Sequence, residues 1–116
     1  MIPKKIKKIP LVVLLEGCGA GSKLLQNYFD NHQNILMTPE YNLMYFFQHW
    51  DESKKIINIK KKIRFIISKH KPILSVSKKK ITSLKLESKI FNLMRNEKIN
   101  SKNFLLAFHI AYAECL

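Results

Sequence analysis

Hydrophobic and polar positions along the chain change their period several times, and each period predicts a kind of element. A short, wholly apolar run at residues 11–15 lies between Pro10 and a group of glycines, which is typical of a buried parallel strand. From Ser22 the apolar residues fall at helical spacing as far as His32, and residues 35–37 form a second short strand candidate. This order of strand, loop, helix and strand predicts an α/β fold with a P-loop-like start.

Beyond this start the apolar residues recur at helical spacing, and residues 51–116 are predicted to be mainly helical. The helix predicted over residues 51–68 would carry Asp51 and Glu52 at its N-terminal, positive end, and Pro72 would prevent its continuation. The predicted helices cover residues 42–48, 51–68 and 83–96, with a last helix that begins at Ser101. We expect residues 1–116 to form a single domain or a domain fragment, an incomplete or shortened three-layer arrangement.

Composition limits the class of protein. Of the 116 residues, 47% are hydrophobic, which is enough for a packed core and too much for a disordered chain. The two cysteines, Cys18 and Cys115, give neither a disulfide framework nor the paired ligand spacing of a zinc site. No apolar run approaches the ~20 residues of a membrane span, and the apolar part of the N-terminus is short for a signal peptide. We expect a cytoplasmic protein without a transmembrane segment.

The charge is strongly positive, with 21 Lys+Arg against 8 Asp+Glu and a formal net charge of +13. Two explanations stay open. Lysine, isoleucine and asparagine share AT-rich codons, so part of the excess reflects base composition; the other explanation is an anionic partner, which is a nucleic acid, a membrane surface or a phosphate-bearing ligand. Only two of the cations are arginines, the residue that reads bases in bidentate fashion, so specific nucleic-acid recognition is disfavoured.

All three glycines of the chain, Gly17, Gly19 and Gly21, lie within five residues between the predicted strand and helix. Glycine lets a backbone approach a phosphate closely, and the N–H groups at the start of a helix point toward such an anion. Ser22 adds a hydroxyl group and Lys23 a full positive charge. The alternative is a tight turn without a ligand.

Two familiar phosphate loops do not fit these residues. The Walker A pattern needs a lysine directly after its second glycine and a hydroxyl residue next, whereas Ser22 separates Gly21 from Lys23, and Leu24 follows. The dinucleotide pattern would need a third glycine where Ser22 stands. A magnesium-dependent NTPase and a nicotinamide enzyme are both disfavoured.

The stretch LVVLLEGCGAGSKLLQNYFDNHQNILMTPE, residues 11–40, resembles the opening of the sulfotransferase family. In this likeness residues 20–25 cover the loop S-G-[ST]-[ST]-L-L, residues 30–33 cover D-x-H-P, and residues 39–40 cover a following P-E pair. The chain departs from the family pattern in its loop cation, which is replaced by Gly19 or deleted, and in the second hydroxyl residue, which is replaced by Lys23. The family's 3′-phosphate site has no identifiable counterpart.

The resemblance implies binding of 3′-phosphoadenosine-5′-phosphosulfate without a metal, and sulfuryl transfer to a hydroxyl or amine acceptor. The chemistry needs a cation on the leaving phosphate, which Lys23 is expected to supply in place of the missing loop cation. The resemblance implies Glu40 as the base, unless Glu40 is only a carboxylate at the start of the next helix. The loop residues implied to bind the nucleotide are Gly19, Ala20, Gly21, Ser22, Lys23 and Leu24. The chain would be an N-terminal fragment or a shortened member. The alternative is a non-catalytic basic α/β module that binds polyanions or nothing.

Histidines and aromatic residues are expected to be structural for the most part. The four histidines show no metal-ligand spacing, and His32 is expected to cap or pack at the end of the first helix. An aromatic group in the following helix is expected to form core, with base stacking or acceptor binding as the alternative. Its members are Tyr41, Tyr45, Phe46, Phe47 and Trp50.

Overall fold

A computed structural model describes residues 1–12, 24, 28–29, 32–36, 43–76 and 80–116. Throughout these ranges the regular elements are helices, and none of these residues belongs to a strand. The α-helices are α1 (Leu43–Glu52), α2 (Ile59–Lys69), α3 (Ile73–Val76), α4 (Ser83–Met94) and α5 (Ser101–Cys115). Two short 3-10 helices span Ile6–Lys8 and Ser53–Lys55, and Leu24, Tyr28 and Phe29 are also α-helical.

The predicted α/β fold is wrong for the part of the chain that the structure describes. Leu11 and Val12, the start of the first predicted strand, are 65% and 78% exposed and belong to no strand. Ile35 and Leu36 of the second predicted strand are also exposed and unassigned. A parallel strand needs hydrogen-bonded neighbours and cover on both faces, and a short apolar run alone supplies neither. The remaining residues of both runs lie outside the described ranges.

The helix predicted over residues 51–68 begins later than expected. α1 continues through Asp51 and Glu52, so these carboxylates lie at its C-terminal end rather than at the positive end of the next helix. α2 starts after Asn58, whose side-chain oxygen accepts a hydrogen bond from the Lys61 N–H at 3.1 Å. An Asn in this position satisfies one of the free N–H groups of a first turn, and it therefore sets the start of the helix.

The last two helices begin where the sequence predicts. Thr82 precedes α4 and accepts a hydrogen bond from the Lys85 N–H at 3.3 Å, and Asn100 precedes α5 and accepts one from the Asn103 N–H at 2.8 Å. Both contacts join the residue before the helix to the third residue inside it, which is the usual N-cap geometry.

The core is built around α5, which has buried residues on most of its sides. α2 and α4 pack against each other, and α4 packs against α5. Phe46 and Trp50 of α1 contribute aromatic rings, with centroids 6.0 and 5.4 Å from that of Phe104 in α5. Burial of such large apolar side chains is the main source of stability for a domain of this size.

The N-terminal arm, residues 1–9, is fastened to the turn between α4 and α5. Ile2 is buried in the core, and its N–H donates to Glu97 Oε1 at 3.0 Å. Lys7 Nζ lies 2.7 Å from Glu97 Oε2, and this hydrogen bond is the largest cause of a lowered pKa at Glu97. Asn96, with φ of 68°, turns the chain after α4, a conformation that Asn tolerates better than most residues.

Candidate functional site

Of the residues predicted to bind a nucleotide, the structure describes one. Leu24 is α-helical and 62% exposed, so it contributes no packing to the core. The other loop residues and the predicted base lie outside the described ranges, and their roles stay predictions. They are Gly19, Ala20, Gly21, Ser22, Lys23 and Glu40.

The segment that follows the glycines is helical where it is described. Tyr28 and Phe29 are α-helical like Leu24, and a turn comes after them. The His32 N–H donates to the Phe29 carbonyl at 3.2 Å, and His32 Nδ1 lies 3.1 Å from the Asn34 N–H. His32 is exposed and its side chain bonds within the turn that follows, so it does not pack in the core; residues 30–31 lie outside the described ranges, and a capping role at the helix end stays a prediction.

The predicted aromatic group is divided between core and surface. Phe46 and Trp50 are buried, as expected for core residues. Tyr45 and Phe47 are exposed on the same helix, whereas Tyr41 lies outside the described residues. Helical spacing explains this division, because residues 46 and 50 are four apart and share a face of α1.

Lys62 is a buried cation that the sequence did not single out. Its ammonium group donates to the Ser53 carbonyl at 2.9 Å and lies 4.8 Å from the centre of the Trp50 ring. The Ser53 hydroxyl in turn donates to the Trp50 carbonyl at 2.7 Å. Burial, with a smaller effect from Lys54, lowers the pKa of Lys62. The lysine thus binds the 3-10 helix that directly follows α1, where carbonyl groups attract a cation.

His49 and His70 form a close pair between α1 and the end of α2. Their ring centres are 5.4 Å apart, and His49 Nδ1 lies 3.4 Å from Glu52 Oε2. Burial, and then the nearby His49, lower the pKa of His70 to about 4. His70 is therefore neutral at physiological pH. In the described ranges no group of three or more His, Cys, Asp or Glu side chains could hold a metal ion.

A basic surface lies on α2, because positively charged residues are concentrated in this part of the sequence. Residues 53–86 contain twelve lysines and arginines and no aspartate or glutamate. The buried side of α2 includes Ile63, Ile66 and Ile67, and the opposite side, about half of the helix circumference, is exposed or half-buried. We define the basic face as the four exposed cations of this helix, Lys60, Lys61, Arg64 and Lys69.

A shallow cleft of about 200 Å³ separates the basic face from α4. Arg64 Nε lies 3.3 Å from Glu87 Oε2 across the cleft, and Lys60 Nζ lies 4.8 Å from the centre of the Phe91 ring. The remaining lining residues are Ile63, Leu84 and Ser88. Sites for small molecules usually have volumes above about 300 Å³, so the cleft is a groove in a surface rather than a nucleotide pocket.

The sequence held a signal for this surface. The spacing of Ile59, Ile63, Ile66 and Ile67 defines a buried helix side, and the cations of α2 then fall on the other side, apart from Lys62. Predicting one long helix over residues 51–68 obscured this division.

No helix in the described ranges is long and apolar enough to cross a membrane. The two candidate sites are the glycine-rich segment, residues 17–24, and the surface of the helical unit, which is residues 43–116 with the gap at 77–79. Known proteins give no guide between the two, because comparison of the chain with family models, curated proteins and solved structures finds no match.

Proposed function

We propose that the chain binds 3′-phosphoadenosine-5′-phosphosulfate through residues 19–24 and transfers its sulfuryl group to a hydroxyl or amine acceptor. The observation that carries the proposal is the position of all three glycines of the chain a few residues before Leu24, Tyr28 and Phe29, which are α-helical. The likeness of residues 11–40 to the opening of sulfotransferases supports the same assignment. The proposal depends on the loop and the helix after it, and it needs no strand.

The loop residues match the chemistry of a phosphosulfate group. In this proposal the backbone N–H groups of residues 21–24 would donate to the phosphate oxygens, and Gly21 would leave room for close approach. In the reaction the acceptor oxygen or nitrogen attacks sulfur, and the bond from sulfur to the bridging phosphate oxygen breaks. Lys23 would stabilise the charge that develops on the departing adenosine 3′,5′-bisphosphate, and Glu40 would take the acceptor proton.

The structure makes this proposal easy to test by mutation. None of the described residues between 11 and 36 is buried, and among the described residues the core comes from the helical unit together with Ile2. Circular dichroism then checks that a substitution in the glycine-rich segment leaves the helical unit folded. A loss of binding can then be assigned to the loop rather than to unfolding.

Calorimetric titration with adenosine 3′,5′-bisphosphate, in parallel with Mg-ATP, is the first experiment. We expect saturable binding of the bisphosphate in preference to Mg-ATP. Gly21→Asp should abolish it, because a carboxylate would occupy the place of the phosphate and repel it. Asn34→Asp, at an exposed turn, adds the same charge to the same segment and should bind like the wild type.

Lys23→Ala should weaken bisphosphate binding about tenfold, the usual effect of losing one hydrogen bond to a charged group. Lys102→Ala, an exposed lysine of α5, is the matched control and should have little effect. A folded chain that binds neither nucleotide would contradict the proposal. Affinity that falls steeply with salt and is insensitive to Gly21→Asp would instead indicate non-specific polyanion binding.

A further inference from the structure

We propose that the basic face docks the protein onto the surface of a membrane that contains acidic phospholipids. Lys61 and Arg64 lie within the exposed half of one helix, and Lys60 and Lys69 lie at its two edges, where their long side chains can bend toward the same surface. Clusters of about four to eight lysines and arginines are what an anionic lipid surface attracts. This docking is independent of the glycine-rich segment.

Two exposed aliphatic side chains flank the basic face. Ile57 precedes α2 by about half a turn and is 94% exposed. Leu84 is 71% exposed and lines the same cleft as Lys60 and Arg64. Side chains of this kind bury their apolar surface at the boundary between headgroups and acyl chains, and a basic cluster together with an apolar contribution gives more stable attachment than either alone.

Positive charge exceeds negative charge around the basic face, which lets it attract anionic headgroups. Glu87 of α4 is the carboxylate that the structure places across the cleft, and it pairs with Arg64. Lys60, Lys61 and Lys69 are exposed in a stretch of sequence that has no acidic residue. Lysine is well suited to this task, because lipid phosphates need only a positive charge and no bidentate geometry.

The same residues favour a membrane over a nucleic acid. Binding of single strands relies on aromatic rings with open faces, yet Lys60 lies over Phe91, and Lys69 Nζ lies 5.4 Å from the centre of the Phe65 ring. Arg64, which could read a base edge, is engaged by Glu87. Exposed aliphatic residues such as Ile57 give a nucleic acid nothing to stack on.

Co-sedimentation of the full chain with lipid vesicles tests the proposal. We expect binding to phosphatidylcholine vesicles that contain about 30% phosphatidylserine, weak binding to phosphatidylcholine alone, and a decrease with salt because the charges are exposed. Binding of the chain to single-stranded and duplex DNA is measured at the same salt. We expect it to be weaker than binding to the acidic vesicles.

The decisive variant replaces Lys60, Lys61 and Lys69 by Gln. Each lysine near an anionic surface contributes about fivefold to binding, so the triple variant should bind the acidic vesicles about a hundredfold more weakly. A control triple variant replaces the exposed lysines 4, 8 and 98 by Gln, which lowers the net charge equally, and it should lose about fivefold or less. Ile57→Ser keeps all charges and should also lose about fivefold.

Three results would overturn the proposal: no preference of the wild type for acidic vesicles, equal losses in the two triple variants, or tighter binding to DNA than to vesicles. Circular dichroism checks that the variants retain their helices. Should the triple variant unfold, the wild-type vesicle preference and Ile57→Ser decide the question, because Ile57 has almost no contact to lose.

Discussion

Individual buried polar residues hold the helices together at their ends. Lys62 is the clearest case, since its ammonium group bonds to Ser53 and lies against the Trp50 ring, joining α2 to the end of α1. A lysine in this setting gives up water, and the carbonyl, the hydroxyl group and the indole ring replace it. In sequence it is one of three consecutive lysines, and only its place on the helix distinguishes it from its exposed neighbours Lys60 and Lys61.

His70 should make the stability of the protein depend on pH. The pKa of His70 is about 4 in the folded protein, whereas a histidine in an unfolded chain has a pKa of about 6.5. Between pH 6.5 and pH 4 the unfolded state therefore binds a proton at this residue that the folded state does not bind. The free energy of unfolding should therefore fall by about 3 kcal/mol between pH 6.5 and pH 4 on account of this residue. Urea unfolding measured across this range gives the slope.

His70→Leu should remove the His70 share of that slope, because the variant has no proton to take up at this position; His109, whose pKa burial also lowers, keeps its own share in both proteins. His32→Leu, at an exposed turn, is the matched control and should keep the wild-type dependence. Carboxylates such as Glu97, whose pKa is lowered in the fold, also make the protein less stable as pH falls. Their contribution to the slope is the same in both variants. Equal slopes in His70→Leu and the wild type would contradict the assignment.

Helices in this chain are defined by their first residues as much as by their apolar pattern. Periodicity predicts α4 and α5 correctly because Thr82 and Asn100 cap them at the points where the pattern begins. It fails at α1 and α2, since the apolar residues continue through the turn between them and Asn58, an available cap, is the only local sign of a break. The strand prediction at residues 11–15 fails for a different reason: a sheet needs partner strands, and a local pattern cannot supply them.

Asn58 is expected to stabilise the start of α2. Asn58→Ala removes the hydrogen bond to the Lys61 N–H and should lower the free energy of unfolding by about 1 kcal/mol, whereas Asn58→Gly should cost only a few tenths of that. Asn92→Ala, the same change at an exposed position inside α4, should be neutral or slightly stabilising. Urea unfolding measures all three, and equal costs for Asn58→Ala and Asn58→Gly would argue against a capping role.

At the scale of the whole molecule, the described residues form a helical unit with the N-terminal arm fastened to it. The Ile2 side chain of the arm is buried in the core, and the Glu97 carboxylate accepts hydrogen bonds from the Ile2 N–H and from Lys7 Nζ. Neither contact could be predicted from sequence, because they join residues about 90 positions apart and Met1 to Lys8 is a basic stretch that looks solvated. The two candidate sites differ in how far the sequence predicts them. The glycine-rich segment can be recognised from the sequence alone, whereas the basic face with Ile57 and Leu84 at its edges can be recognised only from the fold.

If the arm is part of the folded unit, truncating its buried side chain must destabilise the whole protein. Ile2→Ala should lower the free energy of unfolding by about 3 kcal/mol, within the range for a fully buried isoleucine. Ile9→Ala is the same substitution on the same arm at an exposed side chain, and it should change stability by less than about 0.5 kcal/mol. Urea unfolding followed by the fluorescence of Trp50, which lies in the core, reports on the helical unit itself. Equal stabilities of the two variants would show that the helical unit folds without the arm, and a larger effect of Ile2→Ala would show that residues at both ends of the chain form one cooperative core.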